Sequence, residues 1–217
     1  MAAASLPLTL AGETMQAFAD RALFWPSQSL LMIADLHLGK GEALRRGGIA
    51  VPRGGTQDDL GRLHVLLERT AASELCVLGD FLHGASEGGA GEDEWQAWRA
   101  AHARLAVSVV TGNHDRRLRR RAADWGIVLH EEGRAHDPFE LRHVPRTTGA
   151  HVIAGHVHPR LRYPGLPGRW PVFLLRPGLT ILPAFSRFTG GAHVDLSADD
   201  YCLVCLDGLI ARLPPGA

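Results

Sequence analysis

A chain of 217 residues, 46% of them hydrophobic, is long enough to bury one sizeable core, and without a composition shift or long linker it reads as one globular domain. Its 23 acidic and 23 basic residues cancel, which excludes a uniformly charged surface acting as a whole on nucleic acid or anionic membrane; any such grip must come from local clusters. Met1 to Met15 holds no basic segment and no continuous apolar run, so neither signal peptide nor membrane anchor is read there and the expected compartment is the cytoplasm.

Lys40 is the sole lysine among the 23 basic residues, the rest being arginine, a usage that matches the Ala- and Gly-rich composition and reflects genomic base composition. Three cysteines give no even disulfide framework. Cys202 and Cys205 fall in an apolar run before Asp207-Gly208 and a second run, the pattern of a β-hairpin. Residues i and i+3 on a strand face opposite ways, so these thiols are expected to be buried and inert.

In chain order, Leu6 to Pro26 with Ala11-Gly12-Glu13 at its turn predicts an edge hairpin. Ser29 to Ala34 is a short unbroken apolar run, the pattern of a strand buried on both faces. It ends in Asp35-Leu36-His37, a carboxylate and an imidazole at i and i+2 that share one face of an extended chain and suit one divalent ion. Gly39 to Gly55 reads as a loop rich in glycine and base, either a solvated surface or a phosphate-contacting lip using Lys40, Arg45, Arg46 or Arg53. Thr56, with Asp59 three residues on, is expected to cap a helix whose buried stripe is Leu60, Leu63, Leu66 and Leu67.

Glu74 to Leu78 predicts a second buried strand, ending in Gly79-Asp80-Phe81-Leu82-His83. Successive strand ends meet at one edge of an open α/β sheet, which would set Asp80 beside Asp35 and His37. His83 is assigned a supporting place and not a ligand's. After the acid- and glycine-rich 85–94 segment, Trp95, Trp98, Ala101, His102 and Leu105 fall at helical spacing, with His102 and His64 expected on helix surfaces. Ala106 to Val110 predicts a third buried strand, followed by Thr111-Gly112-Asn113-His114-Asp115. Asn113 offers a carbonyl oxygen to a metal, His114 an acid, Asp115 a group to orient it, and Gly112 a tight turn. The five arginines between Arg116 and Arg121 predict the exposed face of a helix, either solvated or turned toward a polyanion.

Phe139 to His143 and His151 to His158 predict two more strands near the site. His143 ends its strand, whereas His151 begins one and, at ~3.3 Å per residue, would lie over ~10 Å from the ions. His130 and His136 have no claim to the site. His156 and His158, at i and i+2, again share one face if that strand continues. Pro171 to Leu175, Thr180 to Pro183 and the final hairpin complete the expected strands, and Pro214 to Ala217 is expected to be disordered.

The candidate ligands are therefore Asp35, His37, Asp80, Asn113, His143, His156 and His158. Seven are too many for one tetrahedral ion and fit two ions sharing Asp80; mixed imidazole, carboxylate and amide donors suit manganese, iron or zinc better than magnesium. Two such ions would clamp an in-line displacement at phosphorus and hold the attacking hydroxide between them, with His114 protonating the leaving alkoxide.

The motifs D-x-H, G-D, G-N-H-D, a lone His and G-H-x-H, in that order, resemble those of the calcineurin-like metallophosphoesterases. The resemblance implies an α/β fold, a four-layer α-β-β-α sandwich of two mixed sheets. It also implies a first ion on Asp35, His37, Asp80 and His158, a second on Asp80, Asn113, His143 and His156, and His114 as the catalytic histidine. Ala34 to Lys40, Gly48 to Gly54 and Leu182 to Gly191 further resemble the bacterial ligase-associated DNA damage response endonucleases. That resemblance implies a manganese-dependent phosphodiesterase acting on DNA alongside a DNA ligase, a helicase and a nuclease. Separately, by their places beside the candidate ligands, Lys40, Arg45, Arg116 and Arg117 are the expected substrate contacts. The alternatives are a phosphatase or small-diester hydrolase of the same superfamily, or an inactive scaffold, which the full set of ligands argues against.

Overall fold

The computed structural model describes residues 3–83, 90–163 and 165–213. The 85–89 part of the acid-rich segment and the Pro214 to Ala217 tail lie outside the described residues.

Two mixed sheets pack face to face. The first holds seven strands in chain order: β1 (Ser5–Leu10), β2 (Glu13–Phe18), β3 (Leu23–Trp25), β4 (Leu30–Ala34), β5 (Glu74–Leu78), β6 (Ala106–Val110) and β7 (Ile127–His130). The N-terminal hairpin pairs antiparallel at its edge, as expected, while β4 to β7 run parallel. Among the described residues, four α-helices follow strands of this sheet: α1 (Lys40–Arg46), α2 (Gly55–Thr70), α3 (Ala90–Ala101) and α4 (Leu118–Arg121). The second sheet is built from β8 (Arg134–His136), β9 (Phe139–Leu141), β10 (His151–Ala154), β12 (Leu166–Arg176), β13 (Leu179–Ile181), β14 (Tyr201–Cys205) and β15 (Ile210–Arg212), with β11 (Arg160–Tyr163) paired to β12. No helix among the described residues is long and apolar enough to cross a membrane.

Period-two alternation sorts the core. In β4, Leu31 and Ile33 face the helices with Leu60, Leu63 and Trp95, while Leu30 and Met32 face the second sheet with Phe139, Ile153 and Phe173. Cys202 belongs to the outer cluster of the second sheet and Cys205 to the cluster between the sheets, so the two thiols point apart as the sequence predicts. Burial raises both to about 12, which keeps them protonated. Helices cover the outer face of the first sheet. Over the second, Leu161 of β11, Val194 and Leu196 do the covering.

Local features depart from the sequence reading where distant residues intervene. The 39–55 segment is not all loop: Lys40 to Arg46 is helical, and the Phe188 ring packs on Gly41 and Gly55 so closely that a Cβ at Gly55 would lie 1.8 Å from it. Thr56 does not cap α2. Gly54 holds the cap position with φ +85°, Thr56 Oγ1 accepts the Gly39 amide at 3.4 Å, and Asp59 binds Arg62 at 2.7 Å. His64 and His102 lie at the helix surface as expected and join α2 to the end of α3 through a 2.9 Å contact between their rings.

Leu63 is fully buried under α2 and Val65 is 47% exposed on the same helix. Leu63→Ala is expected to cost about 2–5 kcal/mol of unfolding free energy in urea titrations, and Val65→Ala less than about 0.5 kcal/mol.

Candidate metal centre

The parallel strands of the first sheet end level with one another, Ala34 opposite Leu78 and Leu78 opposite Val110. Their carboxyl ends open on the same edge as those of β9 and β10, and Phe185 N–H bonds Ala34 O at 2.8 Å to close the sheets together there. Asp35, His37, Asp80, Asn113 and His114 follow strands of the first sheet, and His143, His156 and His158 those of the second. The site is a seam between sheets.

None of these residues is on a strand. Asp35, His37, Asp80, His156 and His158 all have φ between +45° and +68°. Such left-handed backbone costs a non-glycine residue on the order of 1–3 kcal/mol and collects at functional sites. Extended-chain face-sharing therefore does not set these side chains, although Asp35 and His37 still converge in one group as expected. Turns set each side chain instead, and they send His156 and His158 to different places.

Asp35, His37 and His158 form one group and Asp80, His143 and His156 another, each with its donor atoms within 4.8 Å of one another. The groups adjoin: His143 Nε2 is 3.5 Å from Asp80 Oδ1, its Nδ1 is 3.7 Å from Asp35 Oδ1, and His37 Nε2 is 3.9 Å from Asp80 Oδ2. Asp35 Oδ1 and His158 Nε2 lie 3.2 Å apart, yet neither has a hydrogen-bond partner, and both nitrogens of buried His37 are also unpartnered. Buried polar atoms are seldom left so, and atoms that converge on a point without bonding one another fit a shared cation.

Backbone donors hold the carboxylates in place. His156 N–H donates to Asp35 Oδ2 and His114 N–H to Asp80 Oδ1, each at 3.0 Å. His143 Nδ1 lies 3.2 Å from Leu78 O, to which it donates, leaving Nε2 its lone pair toward Asp80 and His156. Burial, then the charge of Lys40, drives His37 down to about 2, so it stays neutral at physiological pH. Burial and neighbouring His143 also lower His156. Close approach explains two glycines: a Cβ at Gly79 would lie 2.0 Å from His143 Nδ1, and one at Gly112 2.3 Å from the Asp80 amide nitrogen. Gly112 thus serves proximity as well as the turn expected of it, in which the Asp115 N–H bonds Gly112 O at 3.2 Å.

The remaining sequence candidates divide. Asn113 and His114 are exposed at the mouth, His114 with Nε2 3.9 Å from Asp80 Oδ2 and its ring stacked on His83 at 5.7 Å. His83 belongs to neither ligand group, and burial lowers it to about 4. The Asp115 carboxylate accepts the Gly112 and Leu82 amides, at 2.8 and 3.1 Å, and so fastens two loops. Lys40 Nζ donates to Thr189 Oγ1 at 3.0 Å, and Arg45 Nη1 to Pro52 O at 2.9 Å. In the arginine run, Arg117 and Arg121 both bind Glu92 and Arg119 binds Glu131, while Arg116 is exposed. His151 bonds Thr180 at 2.9 Å, outside both groups.

Glu132, which accepts the His143 and Val144 amides at 3.1 and 2.9 Å, was not singled out from sequence; its one signal is an acid placed before a β-hairpin.

The nuclease MPE of Pseudomonas putida is 32% identical, with a TM-score of 0.85 over 96% of this chain and the whole of that one. The chain belongs to the metallophosphoesterase family. It is a metal-dependent phosphoesterase with two candidate metal-binding groups. Weaker likenesses are the phosphoesterase Yfce of E. coli, at 15% identity over 85% of this chain and 97% of that one with a TM-score of 0.43, and the Aquifex aeolicus protein AQ665, at 18% over 59% and 78% with a TM-score of 0.43. No family model matches the chain, and none of the curated proteins does.

Gly79→Ala is expected to push His143 aside and lower bound metal per chain, read by elemental analysis. The metal-free metallophosphoesterase is expected to lose stability as pH falls. Between 6.5 and about 2 the unfolded chain protonates His37 while the folded chain does not, so unfolding is favoured progressively through that window, read as a falling urea midpoint.

Proposed function

We propose that this metallophosphoesterase is a two-metal phosphodiesterase that cuts DNA. The observation that carries the reading is the adjacency of the Asp35, His37, His158 group and the Asp80, His143, His156 group, joined through Asp35, Asp80 and His143. Asp80 would serve both positions and Asn113 would complete the second. The donors suit manganese, with iron or zinc as substitutes. When bound, the ions supply Lewis acidity toward a phosphoryl oxygen and an activated water at neutral pH.

The chain's own residues supply the rest. His114, exposed at the mouth with its backbone fixed on Asp80, protonates the leaving alkoxide. Asp115 keeps that loop in place through Gly112 and Leu82. Arg116 meets a flanking phosphate, whereas Arg45 and Arg117 steady the protein through Pro52 and Glu92. The nuclease relative supports DNA as substrate, and the motifs shared with ligase-associated endonucleases support a cytoplasmic repair role beside a ligase, a helicase and a nuclease.

The test incubates manganese-loaded protein with circular single-stranded DNA, bis(p-nitrophenyl) phosphate and p-nitrophenyl phosphate. Both diesters are expected to turn over; turnover of the monoester alone would sink the endonuclease reading. Asp80→Asn should lose more than the ~10–100-fold typical of residues that only orient ligands, together with bound metal. His114→Ala should lose about 10²–10⁴-fold on DNA but far less on the nitrophenyl diester, whose leaving group departs without a proton.

A further inference from the structure

Every Lys/Arg position of this chain is arginine but one, and that one, Lys40, is three residues past His37. Lys40 opens α1, its amide bonded to His37 O at 3.0 Å. Its ammonium is half-buried and donates to Thr189 Oγ1 at 3.0 Å. Thr189 is itself 2% exposed and held from behind, because Arg160 Nη2 donates to its carbonyl at 3.1 Å. Two residues on, Gly191 runs against the carbonyl of His158 so closely that a Cβ there would lie 2.1 Å away. Lys40 and Thr189 thus stand together on the rim beside Asp35, His37 and His158.

The position calls for an ammonium and not a guanidinium. An ammonium is a compact point charge with three rotatable donors, whereas a guanidinium is a rigid planar fork. Thr189 takes one donor of Lys40 and leaves two. The Phe188 ring fills the gap between Gly41 and Gly55 next door. Asp35 and Asp80 both act on the ammonium electrostatically, which puts its charge within reach of the metal centre, yet neither forms an ion pair with it among the described residues. A cation with spare donors, oriented by a buried hydroxyl and facing a phosphoester site, has the chemistry to hold a phosphoryl oxygen.

We propose that Lys40, oriented by Thr189, binds a non-bridging oxygen of the substrate phosphate, an assignment that rests on the phosphodiesterase reading of the same site. A salt-tolerant, short-range phosphate contact of this kind lets an electrically neutral protein select phosphodiesters at the centre itself.

The experiment compares wild type, Lys40→Ala and Thr189→Val, all manganese-loaded, with bis(p-nitrophenyl) phosphate as substrate and inorganic phosphate as a binding probe in calorimetry. Lys40→Ala is expected to lower kcat/KM about 10²-fold, as loss of one donor to a charged oxygen does. It is expected to weaken phosphate binding in parallel, keep its metal content and regain part of its rate with added ethylammonium. Thr189→Val should give a smaller loss, about 5–10-fold, as an unoriented ammonium still carries its charge. A merely structural lysine would show no ethylammonium rescue. The proposal is overturned if Lys40→Ala stays within about twofold of wild type in rate and phosphate binding, or if it loses its metal along with its rate. Should wild type turn over no diester, the phosphodiesterase reading falls, while phosphate binding by the two variants still decides for or against Lys40.

Discussion

Two carboxylates, Asp35 and Asp80, are buried 0% and 3% exposed at the line where the sheets meet, and an ionised carboxylate so placed costs several kcal/mol unless it is compensated. Each receives a backbone N–H, from His156 and His114 respectively. Their ion-pair partners among the described residues are all histidines, of which His37 is neutral at physiological pH. Among the described residues no arginine ion pair to either carboxylate is formed, although the chain is rich in arginine. The charge deficit is built into the seam, and divalent cations are the compensation that imidazole and carboxylate donors together accept.

Holding such a site open requires rigidity. The backbones after β4 and β5 remain zipped beyond the strands: His37 N–H bonds Asp80 O at 2.8 Å, Leu38 N–H bonds Phe81 O at 2.9 Å, and His83 N–H bonds Leu38 O at 3.0 Å. Asp115 adds the loop after β6 by accepting from both Leu82 and Gly112. These bonds over-determine the turns, which is how left-handed backbone at Asp35, His37 and Asp80 persists against its intrinsic cost. Strands fix where the chain emerges, and the zipped turns fix where each donor points. Preorganisation of this kind belongs to the fold and precedes any ligand.

The sequence made the strands legible because β4, β5 and β6 are buried on both faces and so read as unbroken apolar runs. It also made the donors legible, since acid, imidazole and amide recur just past those runs. His143 stood out by following a strand, two residues past Leu141, where His151 begins one. Backbone hand was hidden: nothing in Asp-Leu-His distinguishes extended from left-handed chain, and the choice is made by Gly79, Asp80 and Phe81 across the gap. Helix α1 was hidden for a similar reason, its packing partner Phe188 lying far along the chain. Local patterns report what neighbours in sequence decide. The rest is decided by residues that meet only in the folded molecule.

The arginine run illustrates this most clearly. Five arginines just after His114 look like a polyanion contact, but Arg117 and Arg121 converge on Glu92 of α3, and Arg119 takes Glu131. Two guanidinium groups on one carboxylate, itself 11% exposed, brace the loop that presents Asn113 and His114 against the helix across from it. The exact balance of acids and bases in the chain is then no obstacle to phosphodiester chemistry. Much of the positive charge of the run is consumed internally, where it stiffens the site.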